Sequence, residues 1–277
     1  MKKHVRLLFI IGAVFTLTAL SILLKAQVPS VSVNFNQRAL VPGSTIQVPV
    51  VMDGNAIGNW QLILNYDRSV LTYVSTSNTV AGLGGFFSVS PNYSNANLLS
   101  GQPCLKATYA ISNPGLNYSN QTIMTITFTY NGGGTNLLFT NISSLTTNTA
   151  GWFTFIATYP GGSGGTINLG STFTNGSAAG PLHSVAAGGS WKNRSTWTEN
   201  AKPNALCDIL ITGEEVLVDS TATCSNLTVE NGANLKVNQG INLNVNGNFI
   251  LKTANPSGAV QDPGLGVNLK GERVIVK

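Results

Sequence analysis

Residues 60–66 read Trp-Gln-Leu-Ile-Leu-Asn-Tyr, and this stretch decides the fold of the first half of the chain. Large apolar side chains occupy alternate positions, beginning at Trp60 and ending at Tyr66. The side chains of a β-strand point alternately to the two faces of a sheet, so a period of two predicts a half-buried strand. We expect the side chains of Trp60, Leu62, Leu64 and Tyr66 to face the core.

The same alternation recurs on both sides of this stretch. Apolar side chains share one face in three further runs: Val31, Val33 and Phe35; Ile46, Val48, Val50 and Met52; Met124, Ile126, Phe128 and Tyr130. Glycine-rich breaks at 82–85, 132–134 and 161–165 divide the runs, and no long stretch has an apolar period of 3.6 residues. Short alternating runs separated by turns predict an all-β domain, most simply a sandwich of two sheets.

The composition changes after residue 170. Residues 171–188 are mostly small and polar, which predicts a linker. Beyond them, three similar units begin at Cys207, Cys224 and Gly240, about 16 to 17 residues apart, and each places short aliphatic residues on alternate positions before a glycine turn. Such a repeat predicts a short β-solenoid, in which each coil buries its apolar face against the next coil.

The expected organisation is therefore a β-sandwich over 28–170 and a solenoid segment over 189–277. Asparagines recur in the second segment, as at Asn242, Asn244, Asn246 and Asn248, and they suit turns and stacked amide ladders. Three coils are a minimum for a stable stack. We therefore expect the segment to belong to a longer array.

The N-terminus has the layout of an export signal. Lys2, Lys3 and Arg6 precede an uncharged run over 7–24, and Lys25-Ala26-Gln27 follows. A basic start, an apolar middle and a small residue at the cut predict a secretory signal peptide over residues 1–26. The apolar run is also long enough to cross a bilayer, so a retained anchor is the alternative and would be the only membrane contact. Either route leads to a secreted or cell-surface location.

The charge balance argues against a nucleic-acid partner. The formal net charge is +5, but four of the fifteen Lys and Arg residues lie in the first 25 positions, and the other eleven face ten Asp and Glu residues. Such a balance gives no electrostatic case for nucleic-acid binding. Between residues 28 and 190 the titratable groups of Asp, Glu, Lys, Arg and His are few: Asp53, Asp67, Arg38, Arg68, Lys106 and His183. This scarcity disfavours an enzyme.

Each potential catalytic or metal-binding residue has a simpler structural interpretation. Asp67 follows a strand-ending tyrosine, where a carboxylate usually forms a turn. The Asp53-Gly54-Asn55 triplet offers too few oxygen ligands for Ca²⁺ and is expected to be a turn. His183 lies in the predicted linker. The acidic residues of the solenoid are expected to be solvated charges: Glu214, Glu215 and Asp219. We predict no enzymatic activity, no cofactor and no metal.

Three cysteines in an exported chain leave one unpaired. Cys207 and Cys224 open successive predicted coils at matching positions, so stacking would bring them together and an oxidising compartment would let them bond. We predict a disulfide between Cys207 and Cys224. Cys104 is expected to be a buried, unpaired thiol in the sandwich.

The central part of the first domain resembles a cohesin. The Pro42-Gly43 turn, the aliphatic strand up to Val50 and the corner at 66–71, which reads Tyr-Asp-Arg-Ser-Val-Leu, match the pattern of that family. The runs at 126–130 and 165–169 resemble its late strands, so the resemblance covers roughly 28–170. It implies a jelly-roll sandwich that holds a protein ligand, the dockerin, on one sheet face.

Two ligand contacts follow from this resemblance. The best-known cohesins use an Asn-x-Asp pair on the strand before the corner, and this chain reads Asn59-Trp60-Gln61, which keeps the first amide and lacks the carboxylate. The carried-over contacts are therefore Asn59 and Gln61. Several carbohydrate-binding modules share the sandwich, so the alternative partner is a polysaccharide in an adhesive or polysaccharide-degrading system. A row of exposed aromatic rings on one sheet would favour a polysaccharide ligand. A flat polar face around Asn59 and Gln61 would favour a protein ligand.

The second domain resembles the N-terminal segments of solenoid adhesin modules in secreted proteins of the Bacteroidetes type. The Gly-x-Trp, Thr-Trp and Pro of their opening are matched by Gly189-Ser190-Trp191, Thr196-Trp197 and Pro203, and the aliphatic strand after an Asp by residues 208–211. We expect Trp191 and Trp197 to cap the first coil. Taken together, the sequence predicts an exported, non-catalytic binding protein.

Overall fold

The structure is a computed structural model that describes residues 30–57, 59–79, 85–94, 103–110, 116–139, 157–158, 166–167, 172–213, 215–252, 260–261, 267–269 and 274–276. The predicted export signal over 1–26 lies outside these residues, as does Glu214. Within the described residues, no helix has both the length and the apolar character needed to span a membrane.

The first unit is a sandwich of two sheets. Its strands in chain order are β1 (Ser30–Val33), β2 (Asn36–Gln37), β3 (Thr45–Ile57), β4 (Asn59–Asn65), β5 (Leu71–Asn78), β6 (Phe86–Tyr93), β7 (Cys104–Ala110), β8 (Leu116–Tyr130), β9 (Gly134–Phe139), β10 (Ala157–Thr158), β11 (Thr166–Ile167), β12 (Thr172–Thr174) and β13 (Gly176–Ala179). One sheet has the order β12-β1-β3-β8-β5 and the other the order β2-β13-β9-β4-β7-β6. The chain passes repeatedly from one sheet to the other, as expected for a jelly roll.

The inward side chains are those that the alternation predicts. Trp60, Leu62, Leu64 and Tyr66 are buried in one core cluster together with Phe128, so the predicted strand parity is confirmed. The Trp60 indole Nε1 donates to the Tyr118 hydroxyl at 3.4 Å. Burial raises the pKa of Tyr118 to about 12. The indole N–H and the hydroxyl group of this pair are therefore hydrogen-bonded although they are buried. Burying these two aromatic side chains does not leave either polar group without a partner, so it stabilises the core.

The long strand β3 contains the triplet that we expected to be a turn. Its pairing with β8 shifts register between Met52 and Gly54 and again between Gly54 and Ile57. The prediction of a turn at Asp53-Gly54-Asn55 is therefore wrong, because β-bulges absorb the glycine inside the strand. The Asp53 carboxylate accepts the backbone N–H of Asn120 at 3.3 Å.

Part of the predicted linker belongs to the sandwich. Strand β12 pairs in parallel with β1, and β13 pairs with both β2 and β9. The linker prediction over 171–188 therefore differs from the structure. Small residues keep the backbone N–H and C=O groups that pair in a sheet, even where their side chains show no strand pattern. Strands β10 and β11 pair only with each other, so the run at 165–169 does not close either sheet in the described residues.

The second unit is a solenoid of parallel strands. Its strands are β14 (Leu182–His183), β15 (Gly189–Ser190), β16 (Ile209–Ile211), β17 (Val216–Val218), β18 (Ala222–Cys224), β19 (Leu227–Val229), β20 (Leu235–Val237), β21 (Leu243–Val245), β22 (Phe249–Leu251), β23 (Val260–Gln261), β24 (Val267–Leu269) and β25 (Val274–Val276). They stack in three parallel sheets, β14-β16-β19-β22-β25, β15-β17-β20-β23 and β18-β21-β24. In β16 to β22 the first and third residues are buried and the middle one points outward.

The coils are longer than the predicted repeat. Leu227 lies level with Ile209 and Phe249 lies level with Leu227, so successive coils advance by 18 and then 22 residues. The third predicted unit, which begins at Gly240, belongs to a different sheet of the solenoid from the second. Its strand Leu243–Val245 stacks on Ala222–Cys224 and not on the strand at 227–229. Each turn of the chain contains three short strands, and similar strand motifs on different sides of the solenoid mimic one repeat.

Polar ladders and an aromatic pair support the stack. The Asn226 side-chain amide donates to the Asp208 carboxylate at 2.7 Å, and the backbone N–H of Asn248 donates to the Asn226 side-chain oxygen at 2.8 Å. Trp191 and Trp197 are buried in the solenoid core in an edge-to-face pair with ring centroids 5.3 Å apart. Both rings are therefore part of the solenoid core, and their expected role as a cap of the first coil stays a prediction.

The two units are joined by a short, close-packed junction. Only Gly180 and Pro181 separate β13 from β14. A Cβ atom on Gly180 would lie 2.1 Å from the Leu40 carbonyl oxygen, which only glycine avoids. The Gly180 N–H donates to the Gly133 carbonyl, the Asn204 amide donates to the Gly134 carbonyl at 2.6 Å, and the Arg38 guanidinium donates to the Ser225 hydroxyl at 2.7 Å.

Candidate functional site

The two outward faces of the sandwich differ in chemistry. On the five-stranded sheet, Thr129, Thr127 and Thr125 of β8 lie opposite Thr45, Gln47 and Pro49 of β3, and they are half-buried. Thr72, Ser75 and Ser77 of β5 continue this face on the other side of β8. Hydroxyl groups on β-branched side chains are typical of a solvated sheet surface, as the sequence predicts.

The outward face of the six-stranded sheet, which we call the six-strand face, is more varied. We define it by the outward residues Phe86, Ser88 and Ser90 of β6, Lys106 and Thr108 of β7, Gln61 and Asn65 of β4, and Asn136 and Leu138 of β9. Gln61 is half-buried and pairs with Thr108, which pairs in turn with Ser88. Asn59 begins β4 and pairs with Ala110, and its side chain lies outside the described part of the chain.

A small apolar cluster underlies the centre of this face. Ile63 and Cys104 are fully buried although both lie on the outward side of the sheet, and Tyr93 packs against them. The Lys106 ammonium lies 4.6 Å from the centre of the Tyr93 ring. A cation over an aromatic face is attracted by the ring quadrupole, so this pair fixes a positive charge at the centre of the face.

Two apolar side chains remain exposed on the same face. Phe86 is 68% exposed and Leu138 is 38% exposed, and they lie on opposite sides of Gln61. Among the described residues of the face, Phe86 is the one strongly exposed aromatic side chain. The described residues of this face therefore combine amides, one ammonium and two separated apolar side chains.

The Tyr66-Asp67 corner forms local structural contacts. The Asp67 carboxylate accepts the backbone N–H of Ser69 at 2.8 Å and its hydroxyl at 2.7 Å, and the Asp67 N–H donates to Thr135 Oγ1. The expected role of Asp67 as a turn former is confirmed. Arg68 donates to the Pro91 carbonyl and to the Asn92 side chain, which ties the corner to the end of β6.

The other titratable candidates that the structure describes form local hydrogen bonds. His183 lies in β14, not in a linker, with Nδ1 2.5 Å from a Glu199 carboxylate oxygen. Asp219 accepts from the Ser190 hydroxyl at 2.9 Å, and this bond is the main cause of its lowered pKa. No group of three or more His, Cys, Asp or Glu side chains within the described ranges could hold a metal ion.

The cysteines are all buried thiols in this structure. The disulfide predicted between Cys207 and Cys224 is not formed, and the matching positions assumed for it are offset by one residue, since the Ser225 N–H bonds to the Cys207 carbonyl. The two thiols still lie close enough for Cys207 to affect the pKa of Cys224. Burial raises the pKa of Cys207 to about 11 and that of Cys224 to about 12, with Cys207 as a further cause for the latter. The thiolate needed for oxidation is therefore scarce at neutral pH.

Two adjoining grooves lie at the junction, at one end of the six-strand face. The first, which we call the amide groove, has a volume of about 500 Å³ and is lined by Asn65, Asn136, Leu138, Asn204 and Leu206 among others. The second, which we call the basic groove, has a volume of about 380 Å³ and includes Arg194, Lys202, Asp67 and Ser69. Asp67, Gly134 and Asn204 line both grooves.

Sequence reasoning found part of this surface. It identified Gln61 and the corner, but it missed Lys106, Phe86, Leu138 and the junction residues. Lys106 carried a signal, since it is the one lysine between residues 28 and 190. The junction residues carried none, because they meet the sandwich only after the chain has folded.

Comparisons with known proteins return structures alone. No family model matches the chain, and no curated protein matches it. A non-cellulosomal cohesin from the archaeon Archaeoglobus fulgidus is 16% identical, with 55% of this chain and 89% of that chain covered and a TM-score of 0.39. The seventh ScaB type I cohesin from Pseudobacteroides cellulosolvens is 18% identical, with 55% and 92% covered and a TM-score of 0.37. The third ScaC cohesin from Acetivibrio cellulolyticus, solved with a ScaB dockerin, is 15% identical, with 55% and 98% covered and a TM-score of 0.38.

Proposed function

We propose that this chain is an exported, non-catalytic binding protein whose sandwich holds a protein partner on the six-strand face. The observation that carries the proposal is the asymmetry between the two outward faces. One face carries mostly hydroxyl groups, with Val74 of β5 as an exposed apolar side chain on the same sheet. The other combines Gln61 and Lys106 with the exposed side chains of Phe86 and Leu138. Protein interfaces combine apolar anchors with polar groups in this way.

The resemblance of the Pro-Gly turn and the Tyr-Asp corner to cohesins supports a dockerin-type partner. Asn59 and Gln61 are the proposed contacts from that resemblance, and Lys106 joins them from the structure. The missing carboxylate at position 61 changes the chemistry of the contact from an acceptor to an amide that both donates and accepts. We therefore propose a partner with both hydrogen-bond donors and acceptors at this point.

Export to the cell surface or the medium is part of the same proposal. The basic and apolar N-terminal segment supports cleavage after Ala26. The solenoid, through its resemblance to adhesin modules, would hold the sandwich away from the surface to which it is attached. Mass spectrometry of the native protein should find an N-terminus near Gln27, and an intact Met1 in the mature pool would support the retained anchor instead.

A matched pair of variants tests the binding face. The full chain, immobilised as wild type, Gln61→Arg or Thr127→Arg, is incubated with the secreted proteins of its source and, separately, with a glycan array. Both substitutions place an arginine on an outward sheet position, but only the first lies on the six-strand face. We expect one protein to be retained by the wild type and by Thr127→Arg and lost from Gln61→Arg.

Amine-reactive cross-linking of the retained protein locates the contact independently. Lys106 lies at the centre of the six-strand face, so we expect cross-links from its ammonium to the partner. Retention that is unchanged in Gln61→Arg, or cross-links confined to the solenoid lysines, would contradict the proposed face. Binding of a polysaccharide on the array that Gln61→Arg abolishes would replace the protein partner by a sugar.

A further inference from the structure

The junction between the sandwich and the solenoid contains unpaired charges. Arg194 and Lys202 both line the basic groove, and neither has an ion-pair or side-chain hydrogen-bond partner within the residues that the structure describes. The Asp67 carboxylate in the same groove is already bonded to Ser69. Two free cations beside one engaged carboxylate leave the groove with a net positive charge, which attracts an anionic group.

The adjoining amide groove has the features of a site for an extended peptide. The side-chain amides of Asn65 and Asn136 have no partner among the described residues, so they are available for a peptide backbone. Leu138 and Leu206 add an aliphatic surface. Tyr66 also lines this groove, but its ring packs edge-to-face on Phe128 in the core at 4.8 Å, so it offers no platform for a sugar ring.

The grooves are held in shape by the junction itself. The Asn204 amide donates to the Gly134 carbonyl at 2.6 Å, and its side-chain oxygen accepts the Leu206 N–H at 3.0 Å. A Cβ atom on Gly134 would lie 2.6 Å from that oxygen and 3.2 Å from the Cys207 sulfur, so the two units touch closely here. A site that is formed before binding loses little entropy when it is occupied.

We propose that the solenoid completes the binding surface of the sandwich, and that the two junction grooves bind an extended acidic segment of the protein partner. An aliphatic side chain of the segment contacts Leu138 and Leu206, its backbone bonds to Asn65 and Asn136, and an Asp or Glu side chain lies between Arg194 and Lys202. This inference rests on the proposed function. It adds the chemistry of one part of the partner and assigns a binding role to the first coil.

A random twelve-residue peptide library displayed on phage, selected on the immobilised full chain, tests the proposal. We expect selected peptides to combine an Asp or Glu with a nearby Leu, Ile or Val. A synthetic selected peptide should bind about tenfold more weakly to the Arg194→Ala/Lys202→Ala variant, a loss of about 1.4 kcal/mol of binding free energy, since two exposed charge pairs are removed. Replacing the acidic residue of the peptide by Asn or Gln should weaken binding to the wild type similarly and have little further effect on the variant.

The control variant removes the same number of charges elsewhere on the solenoid. Lys236 and Lys252 line neither groove, so Lys236→Ala/Lys252→Ala should bind the peptide as the wild type does. Selected peptides without acidic residues, or equal affinity of the wild type and the Arg194→Ala/Lys202→Ala variant, would overturn the proposal. So would binding of polygalacturonate, and not of peptides, that depends on Arg194 and Lys202.

The outcomes separate this inference from the proposed function. If Gln61→Arg loses the retained partner but Arg194→Ala/Lys202→Ala keeps it, binding on the six-strand face is supported and binding of an acidic segment in the junction grooves is contradicted. If peptides bind in the junction grooves while Gln61→Arg retains the partner as the wild type does, binding on the six-strand face is contradicted and only the junction site is supported.

Discussion

The sandwich and the solenoid bury similar apolar residues in different ways. In the sandwich, Leu64 of β4 faces the core because its neighbours alternate, and its pairing partners lie far away in the sequence. In the solenoid, Leu227 is buried because Ile209 of one coil and Phe249 of the next lie level with it. Alternation therefore decides which side chains are buried in both units. In the solenoid, the number of residues in a coil also decides which side chain of the next coil each buried residue contacts.

The largest effect is expected inside the sandwich. Leu64→Ala should lower the free energy of unfolding by about 2 to 5 kcal/mol, the usual cost of truncating a buried leucine. Gln61→Ala, on the outward face of the same strand, is the control and should stay within about 0.5 kcal/mol. Urea unfolding followed by tryptophan fluorescence measures both. An equal decrease in the free energy of unfolding of the two variants would mean that Leu64 and Gln61 do not lie on opposite faces of β4, one buried and one outward.

A smaller effect is expected from the buried thiols of the solenoid at high pH. The folded-state pKa of Cys224, about 12, lies above the ordinary value of 9.0, so the folded state holds its proton more tightly. The resulting stability is present below pH 9 and is lost as the pH rises towards 12. Between pH 9 and 10.5 the loss should be on the order of 1 to 2 kcal/mol.

Replacing the thiol isolates this contribution. Cys224→Ala changes the stability at every pH, but its pH slope above 9 should be shallower than that of the wild type in urea unfolding. The wild type should also be resistant to thiol-reactive reagents until it unfolds. If Cys207 and Cys224 are oxidised to a disulfide in solution, neither thiol titrates in the wild type, whereas Cys207 still titrates in Cys224→Ala. A wild-type slope shallower than that of Cys224→Ala, together with a wild-type mass two units below that of the reduced chain, would therefore contradict this prediction.

The smallest effects are expected at outward threonines of the two units. Thr127 on the five-stranded sheet and Thr228 of β19 each point away from their core. Thr127→Ala and Thr228→Ala should each change the free energy of unfolding by less than about 0.5 kcal/mol. A loss above 1 kcal/mol at Thr228 alone would indicate that the solenoid sheet has a covering partner on that side, unlike the sandwich sheet.

The features of the fold that could be predicted from the sequence are those determined by residues close together in the chain. The alternation around Trp60 predicts strand, parity and core correctly, since those features are fixed within a few residues. The strands at 172–179 could not be predicted, because their small side chains carry no pattern and their partners β1 and β9 are distant. The similar motifs at Cys207, Cys224 and Gly240 predicted a coil that is too short. Each coil contains three strands, so the same strand motif occurs more than once in a single coil.

The candidate site was predictable only where a motif marks it. The Tyr66-Asp67 corner identifies the strand that carries Gln61, so this part of the six-strand face follows from the sequence. Arg194 and Lys202 lie more than a hundred residues from that strand in the chain. Their meeting with Asp67 depends on the packing of Gly134 against Asn204, and no local pattern encodes such a contact.

The first two strands of the sandwich pair in parallel with the last two, β1 with β12 and β2 with β13, and this pairing determines how the module responds to a pulling force. Strand β1 begins at Ser30 and lies beside β12, with Ser30 level with Thr172, so the two chain ends leave the pair in opposite directions. Tension between the N-terminal side and the solenoid therefore pulls these neighbours lengthwise past each other. Their interstrand hydrogen bonds carry the load together instead of opening one after another. A chain pulled between its N-terminal side and the solenoid should thus resist extension at the strands where the force enters.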